Sequence, residues 1–157
     1  MKIGILSDSH DNLPKIEKAV KLLNKHKVDF VLHAGDFVAP FTVPKLKGLF
    51  CDWAGVFGNN DGERTGLSGI SEGKIKEGPL RIELDNQKVT LVHDINKINP
   101  QTEEAKIIIF GHTHKPEFRE SDSQLIINPG ECGGWLTGKS TVAIVDLTRL
   151  SHELFNI

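Results

Sequence analysis

The sequence is short of the features that assign a class at a glance. Cysteine occurs twice in 157 residues, at Cys51 and Cys132, far apart and with no C-x-x-C spacing. That argues against a disulfide framework or a thiolate zinc knot and for two reduced thiols. Positive charge is not in excess: 19 lysines and arginines face 21 acids, a formal net charge of -2. Without a basic face there is no footprint for nucleic acid or for an anionic membrane surface. No apolar run reaches the roughly 18 residues of a membrane span. Ile3-Gly4-Ile5-Leu6 turns polar by Ser7, too soon for a signal-peptide core. Solenoid repeats and low-complexity tracts are also missing. These absences lead us to expect a cytoplasmic protein with one domain over residues 1–157, long enough to bury a core without staples.

What the chain does have is one pattern, repeated. Ile3 to Leu6 is a short apolar run that ends in Ser7-Asp8-Ser9-His10. Val28 to Ala34 is another, ending in Gly35-Asp36, and Asp52 to Phe57 a third, ending in Gly58-Asn59-Asn60-Asp61. Val89 to Val92 leads to His93-Asp94, and Ile107 to Phe110 to Gly111-His112-Thr113-His114. Each reads as a strand with an acid, an amide or an imidazole at its C-terminal end. Spacing of i, i+2 on extended chain would aim Asp8 with His10, and His112 with His114, to one side. Four of the seven histidines fall at such ends.

Between the first two strands, Asp11 and Asn12 offer a helix N-cap, and Pro14 sits in the first turn. Leu13, Ile16, Ala19, Val20 and Leu23 follow at helical spacing, with Lys15, Lys18, Lys21 and Lys25 on the solvated faces. A strand, helix and strand of these lengths imply a parallel sheet with a right-handed crossover. Pro40 to Leu49 reads as a surface connector with a short helical pattern, and Glu63 to Gly78 as a loop with a helical turn. The second half alternates polar and apolar residues: a hairpin around Asp85-Asn86-Gln87, strands on either side of Asp122-Ser123, and a closing hairpin around Thr148-Arg149. A brief helix is expected over Asn99 to Glu104. The fold class is α/β in two sheets, the first half parallel and the second mixed, with nine or ten strands and about three helices.

In open α/β sheets ligands bind beyond the C-terminal strand ends. Four imidazoles, two carboxylates and an amide oxygen are too many groups for one tetrahedral zinc and too poor in oxygen for calcium. They suit two first-row divalent ions sharing a carboxylate, and the lack of thiolate speaks against structural zinc or iron–sulfur. His33 lies inside its strand and is expected to be packed rather than ligating.

Asp8-Ser9-His10, Gly35-Asp36, Gly58-Asn59-Asn60-Asp61, His93 and Gly111-His112-Thr113-His114 together resemble, in order, the five blocks of the calcineurin-like metallophosphoesterases. The likeness is to the small single-domain archaeal and bacterial phosphodiesterases, and it extends over Asn128-Pro129-Gly130-Glu131. The resemblance implies a four-layer α-β-β-α sandwich and a dinuclear centre. Asp8, His10 and His114 would hold the first ion, Asn59, His93 and His112 the second, with Asp36 bridging. It further implies hydrolysis of a small phosphodiester, nucleotide-derived substrates included, by in-line attack of a bridging hydroxide. Manganese is the expected metal, and nickel, cobalt, iron or zinc also suit these ligands.

Two positions depart from the family. Asn60 stands where many relatives carry a histidine that protonates the leaving alkoxide, so alkyl esters should react poorly and aryl esters better, with Asn60 and Asp61 left as contacts to the leaving group or substrate. Asp94 stands where relatives carry glycine. It could tolerate a left-handed turn, orient His93 or narrow the pocket. The alternative from another class is a metal-binding interaction scaffold of the same fold, like the retromer subunit; a metal-storing regulator without catalysis is a third. Trp135 and the Pro129–Gly134 loop suggest a homodimer as readily as a monomer.

Overall fold

A computed structural model describes residues 1–121 and 123–157. Asp122, half of the expected Asp122-Ser123 turn, lies outside the described residues. The chain runs β1 (Lys2–Leu6), α1 (Leu13–Lys25), β2 (Phe30–His33), α2 (Val43–Leu46), β3 (Asp52–Val56), α3 (Arg64–Ile70), β4 (Ile75–Lys76), β5 (Leu80–Leu84), β6 (Gln87–Leu91), β7 (Ile107–Ile109), β8 (Pro116–Glu120), β9 (Leu125–Pro129), β10 (Thr141–Asp146) and β11 (Ser151–Asn156). Short 3-10 turns occupy Pro40–Thr42 and Ile95–Lys97.

α1 forms as its sequence dictates. The Asn12 side chain accepts the Lys15 N–H, Pro14 falls in the first turn, and Ile16, Ala19, Val20 and Leu23 are buried along one stripe. Truncating one of these, Leu23 to Ala for instance, would cost about 2–5 kcal/mol.

The first sheet has the order β11-β10-β1-β2-β3-β4, and the second β5-β6-β7-β9-β8. β1, β2, β3 and β4 run parallel, as do β6, β7 and β9 in the other sheet. Alternation sorts the side chains between two cores. Ile3, Ile5, Leu32 and Val56 meet Val89, Leu91, Ile107, Ile109 and Ile127 in the seam between the sheets. Leu6, Val31 and Trp53 face the other way, into a core with Ile16, Leu23, Val43, Leu46 and Leu67 of the three helices.

Two expectations are corrected. β4 is an eleventh strand inside the Glu63–Gly78 segment; two residues are too few to show alternation, although Ile75 is buried. No helix forms over Asn99–Glu104. The Gln124 side chain donates to the carbonyls of Pro100, Glu103 and Ala105, and the Glu103 carboxylate is held by Thr90 and Arg81. Those tertiary bonds outweigh a weak local helix preference. The same segment lies against the second sheet, where Thr90 meets Glu103, and the α/β fold with two mixed sheets is the one expected.

Candidate metal centre

The two parallel runs point their C-terminal ends the same way, so the loops after β1, β2, β3, β6, β7 and β9 meet at one edge of the seam. Backbone bonds lock them together. Asp8, His10 and Asp11 donate their N–H groups to the carbonyls of Gly35, Asp36 and Phe37, and Cys132 and Gly133 donate to Ser7 and Asp8. Gly111 donates to the carbonyl of His93.

The paired residues converge for a different reason than extended spacing. β1 ends at Leu6 and β7 at Ile109; beyond them Asp8, His10, His112 and His114 have φ of 51°, 40°, 66° and 61°, and Asp36 has 59°. Each left-handed non-glycine residue costs on the order of 1–3 kcal/mol and persists where its surroundings over-determine it. Close approach does that here. A Cβ on Gly111 would lie 1.9 Å from Ser7 Oγ and 2.8 Å from Asp8 Oδ2, and one on Gly58 would lie 2.0 Å from Asp36 Oδ1.

Asp8, His10, Asp36 and His114 each offer a ligand atom within 4.8 Å of the others. Asp8 Oδ2 accepts the His112 N–H, while Oδ1 is buried with no hydrogen-bond partner. His10 Nε2 is likewise buried and unpartnered, 3.4 Å from Asp36 Oδ2 and 4.0 Å from Asp8 Oδ1. His114 donates Nδ1–H to Glu131 at 2.9 Å, which leaves the Nε2 lone pair facing Asp8 Oδ1 at 3.6 Å. A second set adjoins the first. Asn59 Oδ1 lies 2.8 Å from His93 Nε2 and 2.9 Å from His112 Nδ1. His93 gives its Nδ1–H to the Ala34 carbonyl at 2.7 Å, so neutral His93 presents a lone pair toward the amide oxygen. Asp36 Oδ2 stands between the sets, 3.5 Å from His93 Nε2 as well.

A buried carboxylate oxygen and a buried imidazole nitrogen left without hydrogen-bond partners are what a cation reconciles. Burial raises the pKa of Asp8, and the Asp36 charge adds to the rise. Burial also opposes ionisation of Asp36, but His10, His93 and two donors from Asn60 outweigh it and hold that carboxyl below its usual range. The Asp36 carboxylate in turn raises the His10 pKa. The donor set of imidazole, carboxylate and amide oxygen fits a first-row divalent ion.

Other sequence expectations sort differently. His33 is packed: its Nδ1 accepts the Gly35 N–H, so Nε2 carries the proton toward Ser9 Oγ at 3.0 Å. Burial lowers its pKa to about 3, so it stays neutral. Asp94 has φ -105° and spends its carboxylate on Asn96, so it neither needs a left-handed turn nor orients His93; the Ala34 carbonyl does that. Asp61 turns inward. Its Oδ1 accepts Val38 N–H and its Oδ2 accepts the N–H groups of Asp36 and Gly58. Burial raises its pKa, yet the carboxyl is sealed at 2% exposure. Asn60 is exposed and donates from both backbone and side chain to Asp36.

Sequence reasoning passed over Asn128 and Glu131 as functional residues. Asn128 is buried and ties the histidine turn, donating to the Gly111 carbonyl and Thr113 Oγ1. The signal was available: Leu125-Ile126-Ile127 is a sixth apolar run with polar residues at its end. Both cysteines are free, and burial pushes the Cys132 thiol up to about 12. Hollows of about 460 and 550 Å³ on the outer face of the second sheet contain none of these residues, while one of about 310 Å³ borders His114, Thr137 and Lys139.

Phosphodiesterase MJ0936 of Methanocaldococcus jannaschii is 40% identical, with 98% of this chain and 97% of that protein aligned. A solved structure described as a novel archaeal phosphodiesterase superposes over the whole of both chains with a TM-score of 0.92 at 37% identity. YfcE, a phosphoesterase from E. coli, shares the fold over both full lengths with a TM-score of 0.76 at 19% identity. Residues 1–150 match the calcineurin-like phosphoesterase superfamily domain, and the chain belongs to that superfamily.

Proposed function

We propose that this protein is a phosphodiesterase working with two divalent ions, manganese first among the metals its ligands accept. One observation carries the reading: two candidate ligand sets meet at Asp36, and in the first of them Asp8 Oδ1 and His10 Nε2 are buried and unpartnered. Asp8, His10 and His114 would hold one ion, Asn59, His93 and His112 the other, and Asp36 both. When bound, such a pair supplies Lewis-acid polarisation of the phosphoryl oxygens and a water acidified to near neutrality.

The chain's own residues do the rest. The Ala34 carbonyl and Glu131 fix the two imidazoles that present Nε2. Asn60 fixes Asp36 and sits exposed, where a leaving group would arrive. Its amide orients but supplies no proton at useful pKa, so the reading favours aryl leaving groups. Asp61 we assign to holding the loops after β2 and β3 rather than to proton transfer. The 40%-identical phosphodiesterase supports a small phosphodiester as substrate, and two free thiols suit a cytoplasmic setting.

The test is hydrolysis of mono- and diesters by metal-stripped protein with single metals added back. Manganese-dependent cleavage of bis(p-nitrophenyl) phosphate is expected. Full metal content and full activity in Asp8→Ala or His112→Ala would refute the ligand assignment, and inactivity with every ester and metal would refute the enzyme.

A further inference from the structure

Glu131 follows β9 and is fully buried, an expensive place for a carboxylate unless it is saturated with donors. It is saturated. Its Oε1 accepts the N–H groups of Leu136 and Thr137 and the Thr137 hydroxyl, at 3.0, 2.5 and 2.6 Å. Its Oε2 accepts the Trp135 N–H at 3.1 Å and His114 Nδ1–H at 2.9 Å. Three consecutive backbone amides would suffice to satisfy a structural carboxylate. The imidazole is the addition, and it is the one His114 nitrogen that faces away from Asp8.

We propose that Glu131 is a positioning residue of the metal centre, fixing the neutral His114 ring as the Nδ1–H tautomer with its Nε2 lone pair toward Asp8. The inference rests on the metal-binding part of the reading above and not on the phosphodiesterase part. A lone imidazole would divide itself between two tautomers and rotate about its ring bond. A charged acceptor at 2.9 Å removes both freedoms before any ion arrives and makes Nε2 more basic. The same carboxylate holds the backbone of Trp135 and Leu136, whose side chains are 65% and 75% exposed beside the site. Trp135 also donates its indole N–H to the His10 carbonyl at 3.0 Å. The exposed rim and the two histidines of the first set are therefore braced by one group.

The test reads the imidazole directly. In metal-free wild-type protein at pH 8, nitrogen-15 NMR should show His114 with a protonated Nδ1 and an unprotonated Nε2. An Nε2–H or averaged tautomer would overturn the proposal without any variant being made. Glu131→Gln keeps the size but loses the charge and should weaken manganese binding by about 10–100-fold in calorimetry, with averaging of the His114 signals. Thr137→Val removes a hydroxyl bond on Oε1 and loosens the loop, but should leave the tautomer and manganese affinity unchanged. If Glu131→Gln lowers thermal stability yet binds manganese like wild type, Glu131 is a loop staple only and the proposal falls. Wild type that binds manganese but cleaves no diester would instead refute the proposed activity and leave this inference standing.

Discussion

The two ligand sets are built from similar residues but differ in how they stand alone. In the first set Asp8 and Asp36 are buried, His10 and His114 partly so, and two polar atoms are buried with no partner. Asn59, His93 and His112 touch one another through the Asn59 oxygen, and Asn59 and His112 are exposed to solvent. Burial makes the first set expensive to leave empty, because water cannot reach its orphaned atoms. The second set can be hydrated and is cheaper to leave vacant. Symmetric composition thus hides unequal demand for a cation.

The strongest attempt to break this comparison is to remove the residue shared by both sets. Asp36→Ala should abolish binding of both ions and lower diester hydrolysis by about 10³-fold, the scale of several kcal/mol of lost charge stabilisation. Steady-state kinetics with manganese and calorimetry check both halves of that expectation. Asn60→His should come next in size. A general acid restored beside Asp36 should raise the rate on alkyl phosphodiesters by about 10²-fold while changing aryl substrates little. Equal rates of the wild type on the two ester classes would remove its premise.

A manganese titration of the stripped wild type should show two events, the first tighter by at least about tenfold, or 1.4 kcal/mol. His112→Ala should delete the weaker event and keep the tighter one. Loss of the tighter event alone would reverse our ranking of the sets.

Acid should weaken the loop that Glu131 holds. Burial opposes ionisation of Glu131, but its bonds from Thr137, His114 and Leu136 win and hold its pKa at about 2, against an ordinary 4.5. A depressed carboxylate stabilises the fold fully above its unfolded pKa and loses that contribution as pH falls toward the folded value. Urea midpoints should therefore drop between about pH 4.5 and 2 in the wild type, and less steeply in Glu131→Gln. The smallest effect is expected at Asp94. Its carboxylate touches only Asn96 among the described contacts, so Asp94→Gly should leave manganese affinity unchanged and stability within about 0.5 kcal/mol.

Legibility followed the same division. Strand ends were readable because an apolar run stopping at Gly35, Gly58 or Gly111 leaves a polar residue little else to do. The α1 stripe was readable because its cap, proline and spacing agree with one another. The Asn99–Glu104 segment was not, since its fate depends on Gln124 and Thr90, which are distant in sequence. Glu131 was invisible as a partner of His114 for that reason too. Spacing found Asp8 with His10 and His112 with His114, but it credited extended chain where the backbone is left-handed.

The site draws on residues from Asp8 to Glu131, contributed by both sheets along one seam. Neither half of the chain carries a complete set: the first set needs His114 from the second half, and the second set needs Asn59 from the first. The proposed centre therefore cannot exist before the sheets dock, and on that reading each ion bound would add stability to the docked state by mass action. Free metal concentration would then become a setting of the melting temperature, and the seam, not either sheet, is what it would tighten.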